Sequence, residues 1–296
     1  MTPDEAIIKE LAMWRLALAL ESPRLRAPGT ITTYLCRANM YLNWLDGRYP
    51  PTDDDTRLYI SVKRQEGSVE GSLAAIFSAL KKLHLSCHWK WEFTGDDRPL
   101  PSSEVNAPAF TEEELATLIH NREEYSRGET FYLALSTIFA PRREELSRVH
   151  KRDIKDEAIY IRTAKKGPPR WHLIPDEIMP IVNDYRPKEL KPDALTKMFH
   201  RICIKGLGDS MKGYGWHSVR RSILTLGLIN LAKADLPLTY WAEYMRWSRK
   251  AIGQVFMGSA MAGHYTHPEI LAAGDPYSLD RKILELHPIL HYWREE

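Results

Sequence analysis

The sequence predicts a mainly α-helical protein of two domains with one small β-hairpin. Apolar residues recur at helical spacing through most of the chain, and two short segments rich in β-branched and aromatic residues flank a single lysine-bearing turn. The stretch Gly95–Ala109 is rich in turn residues and lacks such periodicity, which indicates a linker. We therefore expect one domain over residues 1–94, the linker over 95–109 and a second domain over 110–296, a division that suits 296 residues.

Four helices are predicted in the first domain. The first carries Ile7, Ile8, Leu11, Trp14 and Leu18 at helical spacing. The other three show the same kind of periodicity between segments rich in proline and glycine. The predicted ranges are Pro3–Leu20, Ile31–Leu45, a third helix from Asp53 through Val62, and Ser68–Leu85.

The second domain is predicted to be helical apart from the hairpin. It opens on Thr111 and Glu114, which have the spacing of a capping box, and Phe131–Phe139 follows as an apolar helix. The hairpin consists of Ala158–Arg162 and Arg170–Ile174. The remaining predicted helices are Pro192–Lys205, Ser218–Ala232, Pro237–Met245 and Asp280–Leu286.

Composition argues against several classes of protein. The longest nearly apolar run, Phe131–Pro141, is too short for a membrane-spanning helix, which needs about 20 residues. Three cysteines suit a reducing compartment, and the acidic start Met1–Ala6 does not have the layout of a signal peptide, so we expect a cytoplasmic protein. No HExxH, Walker or complete dinucleotide motif occurs, and we expect neither a metal ion nor another cofactor.

Charge is distributed unevenly although the net charge is only +2. The segment Arg142–Lys250 holds 23 basic and 13 acidic residues, an excess of ten. A basic stretch in a near-neutral protein indicates a polyanionic partner such as nucleic acid, and an unevenly charged solvated surface is the alternative.

Four features of this domain suit the breaking of a phosphodiester bond. Without a metal, that reaction needs an oxygen nucleophile and positive charge on the non-bridging oxygens. Arginine supplies the charge in a planar fork, a tyrosine hydroxyl must lose its proton as it attacks, and histidine can assist that transfer. The features are Arg142–Leu146, a turn lysine (Lys165 or Lys166) followed by Arg170, the pair His217 and Arg220 at i and i+3, and Tyr265 within Gly263–His267.

In this order the features resemble the tyrosine recombinase, or phage integrase, family over nearly the whole chain. Arg142–Leu146 matches the Arg-x-x-Glu-Leu motif of the family, and His217–Arg220 matches His-x-x-Arg. Lys165 fits the hairpin lysine of the family better than Lys166, because Arg170 follows it at the usual offset. Met245-Arg246-Trp247 falls where the family has Leu-Gly followed by His or Trp, and Tyr265 fits the nucleophile.

The resemblance implies a role for each matched residue. Arg142 and Arg220 would clamp the phosphate, Tyr265 would form a 3′-phosphotyrosine intermediate, and Lys165 would protonate the departing 5′ oxygen. His217 would act as base or hydrogen-bond partner.

Trp247 would pack on the site and donate its indole N–H, and Glu145 would orient the site. Ala140-Pro141 departs from the family, which has Gly and an apolar residue before the first arginine.

The N-terminal module resembles the helical, SAM-like core-binding domain of the family, and residues 110–296 resemble its catalytic domain. The residues that carry the first likeness are Thr30, Tyr34, Trp44-Leu45 and Ser78-Ala79-Leu80. The apolar tail Asp280–Trp293 would dock on the next protomer, linking four subunits on two DNA sites. Docking on its own domain is the alternative.

The expected function is therefore metal- and ATP-independent recombination at a specific double-stranded DNA site, of the integrase or excisionase type or Xer-like. The phosphotyrosine conserves the bond energy, so rejoining needs no ATP. The alternatives are a type IB topoisomerase, which relaxes DNA without a preferred site, and a DNA-binding protein on the same fold that no longer cuts.

Overall fold

The computed structural model describes residues 2–21, 28–100, 108–164, 167–256 and 275–294. The chain divides into two compact units, Met1–Asn106 (unit 1) and Ala107–Glu296 (unit 2), which we describe separately. Within the described ranges, no helix is long and apolar enough to cross a membrane.

Unit 1 contains the four helices that periodicity predicts. Thr52 caps the third helix, since its side chain accepts from the Asp55 backbone N–H and Asp55 accepts from the Thr52 N–H in return. Leu16, Tyr41 and Leu80 lie at the centre of the unit's main hydrophobic core. The bounds are α1 Pro3–Glu21, α2 Pro28–Leu45, α3 Asp53–Gln65 and α4 Glu70–Cys87.

The apolar residues that predict helix α1 from the sequence do not face the core in the structure. Trp14 is 59% exposed and Ile7 is 61% exposed. A second stripe at i and i+4, formed by Ala12, Leu16 and Leu20, is buried instead. The helix is therefore where the sequence predicts it, but its buried face is the smaller of its two apolar faces.

Unit 2 is helical around a small antiparallel sheet of order β1-β2-β3. In the β2–β3 hairpin, Ile159 pairs with His172 and Ile161 with Arg170. The helices are α5 Glu112–His120, α6 Arg127–Phe139, α7 Arg143–Leu146, α8 Met179–Asp184, α9 Pro192–Leu207, α10 Trp216–Lys233, α11 Thr239–Tyr244, α12 Arg249–Phe256 and α13 Ser278–Glu285, and the strands are β1 Ile154–Lys155, β2 Ala158–Ile161 and β3 Arg170–Leu173.

The sequence did not predict four of these elements as helices or strands: β1, α7, α8 and α12. Each has eight residues or fewer, which gives periodicity too few positions to register. The predicted capping box of α5 is present, with Thr111 and Glu114 exchanging hydrogen bonds. The predicted hairpin strands are each one residue shorter than expected.

The C-terminal tail packs into the core of its own unit. Ile283, Ile289 and Trp293 are buried in the same cluster as α6. The Trp293 indole N–H donates to the Thr137 hydroxyl oxygen on α6 over 3.1 Å. The described part of the tail therefore packs on its own domain, and its docking on a next protomer stays a prediction.

Candidate active site

Arg142 lies where the chain turns sharply between α6 and α7. Ala140 ends α6 in the left-handed region, with φ 45°, a conformation that favours glycine. Its position is the one at which the resembling family has glycine. Arg142 then caps α7: its backbone N–H donates to Glu145 Oε2 over 2.9 Å, and its Nη1 donates to Glu145 Oε1 over 2.7 Å. The Arg142 side chain is 18% exposed, so it can still meet a ligand.

Arg220, on α10, reaches the same turn. Its Nη1 donates to the Ala140 carbonyl oxygen, two residues before Arg142, and its Nη2 donates to the Met245 carbonyl oxygen over 3.0 Å. Burial, and after it the positive charges of Arg246 and Arg142, lower the pKa of Arg220 to about 9, although the nearby Glu145 carboxylate acts in the opposite direction. The guanidinium therefore stays charged at neutral pH in a place where an added anion would stabilise it.

Glu145 joins the two sides of the site. Its side chain is fully buried, which by itself raises a carboxyl pKa, but Arg246, the Arg142 backbone N–H and the Arg142 guanidinium outweigh burial and lower the pKa. Arg246 Nη2 lies 3.5 Å from Glu145 Oε2. Glu145 is thus an ionised carboxylate between two arginines, and it fixes the rotamer of Arg142.

Arg246 and His172 form a second, deeper layer. Arg246 is fully buried, and its Nη1 donates to His172 Nε2 over 2.9 Å. His172 Nδ1 lies 3.1 Å from Asp280 Oδ1. Burial lowers the pKa of His172 to about 4, so the ring is neutral. Since Nε2 accepts from Arg246, the proton is on Nδ1 and is donated to Asp280.

The described residues on either side of the predicted catalytic lysines lie against this layer. The Ala164 N–H donates to Glu145 Oε1 over 3.3 Å. A Cβ atom on Gly167 would clash with the Arg246 carbonyl oxygen, so only glycine allows the backbones to come this close. Lys165 and Lys166 themselves lie outside the described residues.

The fold of the chain is similar to that of several solved structures. The chain aligns with a lambda integrase dimer bound to a COC′ core site, with a TM-score of 0.64 and 15% identity, over 80% of this chain and 93% of that one. It aligns with XerH site-specific recombinase bound to palindromic difH substrate, with a TM-score of 0.56 and 12% identity, over 83% and 93% of the two chains. A lambda integrase tetramer bound to a Holliday junction gives 0.56 and 16% identity over 76% of each chain.

The chain has the tyrosine recombinase fold. The resemblance seen in the sequence is confirmed at the level of the fold, and so is the predicted class, mainly helical with a small sheet. No protein-family model matches the sequence, and no curated protein matches it at a significant level.

On the tyrosine recombinase fold, three of the predicted site residues, Arg142, Glu145 and Arg220, come together around the α6–α7 turn. His217 lies in the first turn of α10, three residues before Arg220, and is exposed. Trp247 is half-buried against the core, and its ring lies 6.0 Å from that of Phe256. Tyr265 lies outside the described residues, as Lys165 does.

The sequence analysis missed the deeper layer of Arg246, His172 and Asp280. Arg246 had one usable signal, since a charged residue replaces the glycine that the resembling family has between Met245 and Trp247. The structure explains the glycine, because Arg246 takes φ 59° in the left-handed region. His172 and Asp280 carry no local signal, being 108 residues apart.

Chemically, the site concentrates positive charge. Arg142 and Arg246 contact one carboxylate, Glu145, and Arg220 lies close enough for that carboxylate to act on its pKa. Such a place suits an oxyanion, and the partly exposed Arg142 offers a planar fork to it. Among the described residues, no group of three or more His, Cys, Asp or Glu side chains could hold a metal ion.

Proposed function

We propose that the protein is a site-specific DNA recombinase that cleaves and rejoins DNA strands through a 3′-phosphotyrosine intermediate, without metal or ATP. The convergence of Arg142 and Arg220 on one turn carries the proposal. Arg220 donates to the Ala140 carbonyl oxygen, two residues before Arg142, which brings two cations within reach of one phosphate. The solved structures that share the fold include lambda integrase and XerH bound to DNA, which supports DNA as the substrate.

The remaining roles follow the resemblance. Tyr265 attacks the phosphorus, Lys165 protonates the 5′ oxygen of the leaving strand, and His217 assists proton transfer. Trp247 donates its indole N–H to the phosphate. Lys166 is the alternative for Lys165. Rejoining reverses the attack, so the phosphotyrosine bond breaks as the 5′ oxygen returns to the phosphorus.

Residues 1–94 of unit 1 act as a core-binding domain and residues 110–296 of unit 2 as the catalytic domain, with the linker 95–109 between them. The protein acts in the cytoplasm and assembles as a tetramer on two specific double-stranded sites. Two arrangements of the tail stay open in the tetramer: docking on its own unit, as the described residues pack, and docking on the next protomer.

A suicide substrate tests the reaction. The DNA flanking the gene is nicked close to candidate cleavage positions, so that a short 5′-hydroxyl fragment diffuses away and traps any covalent adduct. We expect an adduct that mass spectrometry maps to Tyr265, formed in the presence of EDTA. Tyr265→Phe is expected to abolish it, and Tyr240→Phe, on the packed helix α11, serves as the matched control.

Other outcomes separate the alternatives. A covalent DNA adduct formed by the Tyr265→Phe variant would contradict the proposed chemistry, and so would a strict need of the cleavage reaction for magnesium. Relaxation of any supercoiled plasmid by a monomer would favour the topoisomerase. Tight binding to the flanking DNA with no adduct would favour a DNA-binding protein that does not cut.

A further inference from the structure

A continuous line of buried contacts connects the C-terminal helix to the candidate phosphate clamp. Asp280 on α13 accepts from His172 on β3, and His172 accepts from Arg246. Arg246 contacts Glu145, and Glu145 holds Arg142. The successive distances are 3.1, 2.9, 3.5 and 2.7 Å. The line thus runs from a helix after the predicted nucleophile to the first residue of the clamp.

Only one end of this line reaches the surface. Asp280, His172 and Arg246 are fully buried, so none of them can touch a DNA phosphate. Replacing a buried group of ions by apolar side chains often leaves the stability of a protein unchanged or raises it. A contribution to stability therefore does not explain why these buried ions are present. These contacts hold the Glu145 carboxylate in a fixed position beside Arg142.

Arg246 fixes more than Glu145. Its backbone, in the left-handed region, brings its carbonyl oxygen against Gly167, the residue after Lys166 in the sequence. The backbone N–H of Ala164, the residue before Lys165 in the sequence, donates to Glu145. Glu145 thus contacts Ala164 as well as the Arg142 guanidinium, and the Arg246 backbone lies against Gly167.

We infer that Arg246 is a positioning residue for strand cleavage: held by His172 and Asp280, it keeps Glu145, and through it Arg142, in the geometry that receives the phosphate. This inference rests on the proposed function, because the reaction that it serves is the proposed one. Arg246 acts through Glu145 and does not touch the substrate.

Two substitutions of His172 separate the contacts of the line. The Gln side chain places its amide oxygen near the position of Nε2 and can still accept from Arg246, whereas Asn places its amide near Nδ1 and can contact only Asp280. Both remove the same ring from its contacts with Phe139 and Tyr244. A merely structural role of His172 predicts similar losses for both.

We expect His172→Asn to lower the rate of adduct formation at saturating DNA by about 10- to 100-fold, a typical cost of a small misplacement in an active site. We expect His172→Gln to stay within about threefold of the parent, since the contact with Arg246 is retained. The DNA concentration for half-saturation should change little in either variant, because other phosphate contacts dominate affinity. Equal losses in the two variants would overturn the inference.

A second pair lies on α13. Asp280→Asn removes the charge that orients His172, and Arg281→Gln, at the next position, changes an exposed ion pair with Asp275. We expect only Asp280→Asn to slow adduct formation at saturating DNA. If both variants react at the parent rate when corrected for the folded fraction, Asp280 is not a positioning residue.

Guanidinium NMR of Arg142 in the DNA-free protein gives a readout that does not depend on activity. We expect its Nε–H signal to shift in His172→Asn and Asp280→Asn, and to stay in place in His172→Gln and Arg281→Gln. Absence of any adduct with the parent protein would sink the proposed function. An unshifted Arg142 signal in all four variants would sink the positioning role, whether or not the protein cuts DNA.

Discussion

The two units use their interiors in opposite ways. Among the described residues, unit 1 buries Thr56 and His84 as its polar side chains and exposes a row of large apolar residues on α1. Unit 2 buries many charged or titratable side chains: Glu129, Glu145, Asp153, His172, Arg220, Arg246, Asp280 and His287. Because burying a charge costs free energy unless it is paired, the contrast indicates that unit 2 keeps these groups for more than stability.

The contrast teaches where to look for chemistry on this fold. In unit 2 four of the buried groups are linked in a line that ends at a partly exposed arginine, Arg142; they are Asp280, His172, Arg246 and Glu145. In unit 1 the exposed ion pairs, such as Arg64 with Glu70, are isolated on the surface. The predictions below test whether the interiors really differ in this way.

Acid should separate the units most strongly. Burial lowers the pKa of both His172 and His287 in unit 2 to about 4, from an ordinary 6.5. Between these values the unfolded chain binds protons that the folded unit does not, so the free energy of unfolding falls as pH is lowered from 6.5 to 4. A pKa shift of about 2.5 units corresponds to roughly 3 kcal/mol for each histidine.

Hydrogen exchange at pH 7 and pH 4.5 would measure this prediction, because it reports on each unit separately. Unit 1 buries one comparable histidine, His84, and burial lowers its pKa as well. Because unit 2 has two such histidines, we expect acid to lower the free energy of unfolding of unit 1 by less. The comparison fails if both units lose the same free energy, or if unit 2 is unaffected by acid.

Breaking the ion network should have the next largest effect. Arg246→Met leaves His172 Nε2 without its donor and Glu145 with one arginine instead of two. Removal of one member of a buried ion pair typically costs about 3–5 kcal/mol in the free energy of unfolding. The loss in the free energy of unfolding would be measured by urea unfolding, with hydrogen exchange of the α6 and α10 amides as the readout.

The matched control is Arg64→Met in unit 1, which breaks an exposed pair whose arginine side chain is 52% exposed. Exposed pairs contribute little, so we expect a much smaller change. Similar losses for the two variants would show that burial of the pair does not decide its contribution.

Sequence reasoning reached the elements better than the contacts between them. Capping boxes and helical spacing predicted α1 to α6, α9, α10, α11 and α13 to within a few residues, because these signals lie inside the element or next to its ends. Arg142 and Arg220 could be predicted from motifs, but their meeting at Ala140 could not. That contact spans 80 residues, and the contact of Arg246 with His172 spans 74. No local pattern encodes such distances.

Helix α1 shows the same limit within a single element. Two apolar stripes share the helix, and spacing alone does not say which of them packs. The structure buries the one with Leu16, whereas the larger residues predicted from spacing, such as Trp14, remain exposed. The choice depends on the shapes of α2 and α4, which the sequence of α1 does not contain.

The smallest predicted effect tests that choice. Trp14→Ser removes the largest side chain of α1 from a position 59% exposed, and we expect it to change the free energy of unfolding by no more than about 0.5 kcal/mol, as for most surface substitutions. Leu16→Ala, two residues along on the buried face, should cost about 2–5 kcal/mol. Urea unfolding of the full chain, followed by exchange of the α4 amides, would compare them. If Trp14→Ser lowered the free energy of unfolding more than Leu16→Ala does, α1 would pack through the stripe that is exposed in the structure. The described contrast between the two interiors would then no longer hold for unit 1.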